Sequence, residues 1–470
     1  MKPFQRYINS LDINTARSKL MKALTVETST GSALTDIAIS DALTNTVIAL
    51  SPEIALLELA GHKSYTYYYD VVSSLGDPIG AIGGGATTPS AQSAYSRNSV
   101  TMKSIRRRGA VADFLKDTSQ EMNRIDAVAV EMENQLLAHT WGVNYNVIYG
   151  NNTANGYEMN GWETSIPAVN RTSYYSSGAP TVPSDLTILN DMIASSDRKG
   201  GNRHRKAFLC SPEMNQRLGF LLTNTRIQYG IPGTLEAVEI NGGHRLTAYQ
   251  GIPILPSTFL GGQGAGTMGS ISLASGGTTG GSFNDGTYYA AVTYISKYGE
   301  SMGSAIGSVT LSGGTATQKI TVSFTDVPEA YSYVVYAGTV NAYGSLTRKK
   351  KVTAWTYDVS GTPTGRISSI SLTSLTADST VTTSSAVTCP NPVTTTKAWN
   401  SEMIMLIDLD PVQGMGKMVY ANDGNRMNGL VTIEPLAKID ANLSFLITTN
   451  ASIVPAFPDT SLIAYGLRAG

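Results

Sequence analysis

One continuous stretch decides how this chain is organised. It opens with KSYTYYYDVV (Lys63–Val72) and passes through GDPIGAIGGGATTPSAQS (76–93). It continues with SVTMKSIRRRGAVADF (Ser99–Phe114) and closes with DTSQEMNRIDAVAVEMENQLLAHTWG (Asp117–Gly142). The first and third pieces are rich in aromatic and β-branched residues and read as strands. The second holds five glycines and two prolines in 18 residues, a turn-forming composition. Two strands around such a tip make an arm-like hairpin, which alone is marginal in water because one face has nothing to pack on. The fourth piece reads as a long helix. Asp117 and Gln120 have capping-box spacing. Met122, Ile125, Val128, Ala129, Met132 and Leu136 form one apolar stripe, and Gly142 is the expected stop.

Upstream, residues 1–62 read as irregular, with helices expected near Thr35–Leu50 and at Pro52–Leu59, the latter capped by Ser51. Downstream, Ser184–Ser195 and Pro212–Thr223 read as helices around a short buried strand, Ala207–Cys210. Gly242–Leu260 reads as strand, turn, strand. The C-terminal segments Glu402–Asp410, Leu430–Ala437 and Ala441–Ala456 are β-rich. Between residues 261 and 400 the composition changes: 64 of those 140 residues are Gly, Ser or Thr. Short alternating runs (Thr287–Tyr294, Lys319–Phe324, Ser332–Tyr336, Val352–Tyr357) lie there between Gly-rich turns, the pattern of an inserted β-sandwich.

The chain has 470 residues, 34 Lys+Arg against 35 Asp+Glu, and 15% charged residues. A net charge of −1 excludes a polycation built to coat nucleic acid and an acidic tail protein alike. Low charge with 41% hydrophobic residues argues against disorder and suggests surface not meant to face water, as in a chain buried in a large assembly or a Gly/Ser/Thr-rich secreted β protein. Cys210 and Cys389 have neither metal nor redox spacing. His62, His139, His204 and His244 have no ligand-spaced neighbours, and Gly83–Gly85 lacks the strand, helix and Gly-Lys-Ser/Thr of a phosphate loop. No catalytic, cofactor-binding or metal residue is assigned. Asp408 and Asp410 share a strand face and read as a half-exposed edge. Arg106–Arg108 reads as a basic cluster for acids on a neighbouring chain, ahead of nucleic acid. Arg348–Lys351 is a second basic cluster, of which Lys349–Lys351, in the insert, reads as a solvated turn or strand end. The N-terminus has no unbroken apolar core of a signal peptide, and no membrane span is expected.

The order of these elements resembles the major capsid protein of tailed bacteriophages, of the Hong Kong 97 type. Ile148–Trp162 looks like that family's segment after its spine helix, Ala207–Leu221 like its strand-then-helix segment, and Tyr249–Leu260 like its "G-I-P-I" strand. Asn284–Ser301 and Val327–Thr339 resemble an immunoglobulin-like or fibronectin type III-like domain, without the antibody disulfide because Cys389 is the insert's only cysteine. The fold this implies is α+β: an N-terminal arm (1–62), an extended hairpin loop (63–115), a peripheral domain with spine helix and the first part of an axial domain (116–262), an inserted all-β sandwich (263–398) and a C-terminal return (399–470).

The resemblance implies a non-enzymatic shell protein, located in the virion and made in the host bacterial cytoplasm. It would form hexamers and pentamers that tile an icosahedral head, with the immunoglobulin-like domain facing outward. The implied partners are copies of the chain, scaffolding, portal and cement proteins, double-stranded DNA held non-specifically on the inner face, and a host-surface glycan at the insert. Neither a membrane nor a cofactor is implied. Tyr67, Tyr69, Arg106, Arg107 and Arg108 are the inter-subunit contact candidates. Lys103 lies in the hairpin, but no asparagine and acid match it for the lysine–asparagine crosslink of one family member. The alternatives are an encapsulin-type compartment with the same fold, a glycan-binding surface adhesin, and a polysaccharide-acting enzyme with a β module.

Overall fold

The protein's computed structural model describes residues 53–75, 92–113, 127–175, 180–201, 205–229, 238–240, 244–246, 248–261, 266–314, 316–381, 387–392, 402–422, 429–436 and 442–469. The expected helix Thr35–Leu50, most of the loop tip and the Asp117–Gln120 capping box lie outside them. Where a helix was expected over Pro52–Leu59, a single turn, α1 (Glu53–Leu56), leads into strand β1 (Glu58–His62). The hairpin strands β2 (Thr66–Ser74) and β3 (Ala94–Thr101) pair antiparallel from Thr66↔Thr101 to Ser74↔Ala94.

The expected single strand Ser99–Phe114 is divided in two. Met102 is buried with Val419, Ala421 and Val454, and its N–H donates to the Tyr65 carbonyl at 2.8 Å. That apolar anchor turns the chain out of the hairpin into β4 (Lys103–Ala112), which joins another sheet.

Helix α2 (Ala127–Tyr149) has 23 residues and runs through Gly142. An interior glycine costs about 1 kcal/mol of helix propensity. Burial of Val143, Tyr145, Val147, Ile148 and Tyr149 beyond it outweighs that cost. The helix stops at Gly150, whose N–H still bonds the Asn146 carbonyl but where a Cβ would collide with the Met159 carbonyl. Of the expected stripe, Val128, Ala129, Met132 and Leu136 are buried, and Met122 and Ile125 lie outside the described residues.

Beneath α2 lies a sheet of β1, β4, β22 (Lys417–Ala421), β23 (Thr432–Pro435) and β24 (Asn442–Val454). β24 carries β4 along one edge, and β23 and β22 along the other. Gly109 of β4 sits under the Phe445 ring, where a Cβ would overlap it.

A second sheet runs β5 (Arg171–Ser173), β25 (Leu462–Leu467), β21 (Glu402–Asp408), β6 (Lys206–Cys210), β10 (Ile252–Pro256), β9 (Ala248–Tyr249). Every residue of β6 and β21 is buried, as the apolar runs AFLC and MIMLI require. The short helix α3 (Trp162–Ser165), α4 (Thr187–Arg198) and α5 (Pro212–Tyr229) lie off this sheet, with a hairpin of β7 (Val238–Ile240) and β8 (His244–Leu246). Leu189, Met192 and Ile193 of α4 and Met214, Leu218 and Leu221 of α5 bury into one cluster with Phe208 and Ile254.

The chain leaves this sheet after β10 and returns in β21. Both strands pair with β6, so the excursion between them leaves the sheet unbroken. That excursion forms two further sheets. One is β11 (Ile271–Ser275), β15 (Ile320–Phe324) and β20 (Ser369–Leu372). The other runs β13 (Gly299–Glu300), β12 (Gly286–Ser296), β16 (Ser332–Gly338), β17 (Thr347–Thr353), with β14 (Gly307–Leu311) also on β12. The expected strand Val352–Tyr357 is split at Ala354, and β18 (Trp355–Tyr357) forms a separate hairpin with β19 (Pro363–Arg366).

Side chains alternate across β12 and β16. Tyr288, Ala290, Val292 and Tyr294 with Tyr333, Val335 and Ala337 fill the space between the two sheets. Ala291, Ile295, Val334 and Tyr336 point the other way and join the core around α2 and Trp162. Both faces are buried, so the sandwich is packed onto the host and its core continues into the host core.

Candidate assembly surface and the docked sandwich

β4 pairs only with β24, so among the described residues it is an edge strand. Its segment Arg106–Arg108 is exposed, and none of the three has a carboxylate partner among the described residues. Arg107 is turned toward α2, where Nε bonds Gln135 Oε1. Arg106 reaches Ser104 Oγ at 2.9 Å and Arg108 reaches Ser444 Oγ at 3.1 Å. Three unpaired cations on an open edge repel another strand unless it brings acids. Lys103 donates to the Gly156 carbonyl at 2.7 Å.

Tyr67 and Tyr69 lie on the hairpin face turned toward the chain's own sheet. Their rings stack at 6.4 Å, the Tyr69 hydroxyl donates to the Pro455 carbonyl, and Lys417 Nζ bonds the Tyr67 hydroxyl at 2.8 Å. Both rings pack on Met102 and Val419, so they hold the hairpin root. The opposite face is open. Tyr68 (62% exposed), Val72 (50%) and Tyr95 (73%) line it beside the Asp70–Arg97 ion pair, and Leu75 (83%) follows. Period-2 alternation from Tyr67 would have found Tyr68 and Val72; Tyr95 needed the register that pairs it with Val72.

Lys349–Lys351 is not a solvated turn or strand end but lies within β17, with Lys349 and Lys350 half-buried and Lys351 buried, which corrects the sequence reading. Arg348 and Lys351 are buried on β17, facing the host. Arg348 Nη1 pairs with host Glu163 Oε1 at 3.0 Å, and Nη2 with Glu300 Oε2 of the insert at 2.7 Å. Lys351 Nζ lies 3.6 Å from Glu163 Oε2 and donates to the Tyr149 carbonyl at 2.7 Å. Tyr336 and Tyr465 hydroxyls donate to Glu300 and Glu163 at 2.6 and 3.1 Å. Burial alone would raise the Glu163 carboxyl; the charges of Lys351, Arg348 and Arg171 overturn that and hold it down at about 2. Period-2 alternation alone would put Arg348 and Lys351, three residues apart, on opposite faces; the β-bulge opposite Val335 and Tyr336 brings both to the host side, which the sequence pattern does not announce.

Asp408 is also corrected: it is buried inside the sheet between β6 and β25, not on an edge. Its Oδ1 accepts the Asp410 N–H at 3.1 Å, and Asp410 accepts the Val412 and Gln413 N–H groups and lies 3.8 Å from Arg205. The pair shapes a turn. Among the described residues no group of His, Cys, Asp and Glu could hold a metal ion. His139 is buried and its Nε2 meets Thr449 Oγ1 at 2.7 Å; burial, then the Arg107 charge, push its pKa down to about 3. Cys210 and Cys389 are free and buried. No helix of the described residues is long and apolar enough to cross a membrane.

No family model matches the chain. No curated protein matches it either. Solved shell proteins do align with it at low identity. The holo-SrpI encapsulin complex from Synechococcus elongatus PCC 7942 covers 90% of this chain and 90% of its own at 10% identity, with a TM-score of 0.44. The capsid of Cyanophage A-1(L) covers 89% and 93% at 11% identity and 0.43. The capsid of a native GTA particle covers 90% and 90% at 8% identity and 0.40.

Proposed function

We propose that this chain is a major capsid protein of the Hong Kong 97 type, self-assembling as hexamers and pentamers into the icosahedral head of a tailed double-stranded DNA phage. The observation that carries the reading is a pair of unsatisfied surfaces near the root of one hairpin: the open apolar face of β2–β3 and the unpaired arginines of edge strand β4. Each calls for a partner, and a second copy supplies both in a closed array. The half-buried Tyr67 and Tyr69 fix the angle at which the hairpin meets a neighbour. Arg106, Arg107 and Arg108 pair with carboxylates of the adjoining subunit.

The inserted sandwich is read as immunoglobulin-like and outward-facing, since a module this size does not fit between tiled subunits. Scaffolding, portal and cement proteins and DNA on the inner face belong to the same proposal. A host glycan at the insert is part of it too; the exposed Trp355 ring, backed by Arg366 at 5.4 Å, is the platform to test.

The test is expression alone and with a scaffold, followed by light scattering and negative-stain microscopy. Closed shells, or rings of five or six, support the proposal; a monomer even with scaffold present refutes it. Shells that package protein cargo and no DNA would assign the chain to an encapsulin-type compartment.

A further inference from the structure

Three parts of the chain meet where β6 and β10 end. The two strands run parallel, with Pro256 beside Cys210, and the Ser257 N–H donates to the Cys210 carbonyl at 2.8 Å. Ser211 and Ser257 therefore sit next to each other. The Ser257 hydroxyl donates to Glu53 Oε1 of α1. The Ser211 oxygen accepts the Met214 N–H at 2.9 Å, which leaves its proton for Glu402, the first residue of β21.

Glu53 and Glu402 are both fully buried, and Oε2 of each has no hydrogen-bond partner. Among the described residues no cation answers either of them. Among these residues no other charged group acts on Glu53, and Glu213, in the first turn of α5, acts on Glu402. The remaining titratable neighbour is the Cys210 thiol. The insert's exit at Gly261 backs onto Ser211 and Glu213, and its re-entry is Glu402 itself.

An ionised carboxylate with one bare oxygen and no counter-charge is among the costliest groups to bury; the neutral acid is far cheaper. We propose that Glu53 and Glu402 form a proton-held junction. It ties α1 to the exit and re-entry of the inserted sandwich and loosens when these side chains ionise. Burial pushes the Glu53 carboxyl up to about 7. Burial, eased by the Ser211 bond and reinforced by Glu213, pushes Glu402 up to about 8. Both values lie above that of an open chain, so the junction is at full strength below about pH 4.5 and weakens as pH rises toward 7–8. The junction exists in a single chain and goes beyond the assembly reading.

The experiment is amide hydrogen exchange on the full chain between pH 5 and pH 8, corrected for intrinsic rates, over peptides spanning 53–62, 257–261 and 402–408. Wild type is expected to open more by roughly 50-fold across that range from Glu53 alone, and by more with Glu402. Glu53→Gln and Glu402→Gln, neutral at every pH, should each flatten the slope. Equal slopes in wild type and both variants, or no slope in wild type, would overturn the proposal. Infrared difference spectroscopy of the wild type against each variant gives a second reading. Because burial also pushes Glu158 up to about 7, the band is read as the part that Glu53→Gln and Glu402→Gln each remove: a protonated-carboxyl component present at pH 5 and lost by pH 9 is expected, and its absence at pH 5 overturns the junction.

Discussion

Replacing Arg348 with methionine is the sharpest perturbation this structure offers. The guanidinium bridges two buried carboxylates, one from each side of the insert–host boundary, and its Nε bonds the Tyr336 hydroxyl at 3.2 Å. Methionine keeps much of the volume but leaves both acids without that cation. Glu300 keeps the Thr293 and Tyr336 hydroxyls, each donating at 2.6 Å. Glu163 retains Lys351 at 3.6 Å and Tyr465. Removing one partner of a buried pair costs about 3–5 kcal/mol. At about 2–4 °C per kcal/mol for units of this size, the midpoint should fall by about 6–20 °C in calorimetry. The pH dependence changes with it. The Glu163 carboxyl, held at about 2, contributes stability that is present above about 4.5 and lost as pH falls toward 2. Arg348→Met should shrink that acid-side loss. A double-mutant cycle with Glu163→Gln should show coupling of more than about 1 kcal/mol. A midpoint within 2 °C of wild type, or additive single effects, would refute the claim that this network fastens the sandwich to its host.

Tyr68→Ser with Tyr95→Ser should leave monomer unfolding within about 0.5 kcal/mol of wild type, because both rings are exposed, while shell yield by sedimentation drops. Changing Arg106, Arg107 and Arg108 together to glutamine should weaken assembly most at low salt, read as light-scattering yield against ionic strength. Gly109→Ala forces a methyl into the Phe445 ring and should cost about 1–3 kcal/mol in denaturant unfolding. Antibodies raised against residues 266–381 should decorate intact particles; bare particles would count against an outward insert.

The sequence was most legible where one physical rule acted alone. The stripe from Val128 to Leu136 needed only helical period, and Ala207–Cys210 only an unbroken apolar run. Reading failed where tertiary burial competed with a local signal. Gly142 is a local stop that the buried residues after it override. Met102 is an unremarkable residue in a β-prone run until its burial turns the chain. Arg348 and Lys351 carry a surface composition that only partners more than 180 positions away, in Glu163 and at Tyr149, make compatible with the interior.

The same comparison bears on what the inserted sandwich is for. An appended module needs one apolar face per sheet and a polar exterior, so its strands alternate. TYYAAVTYIS and SYVVYAG, which the sequence offers as alternating runs, are instead buried on both faces, because each strand serves two cores at once. A two-sided strand cannot be added to a host without matching host residues, and these are in place: Trp162, Glu163, Tyr149 and Tyr465. Removing the insert would uncover those groups and take away Arg348 and Lys351, two of the three cations that hold Glu163 ionised, leaving only Arg171. The sandwich is therefore a structural part of the chain, sharing one core with the helix and sheet that carry the hairpin.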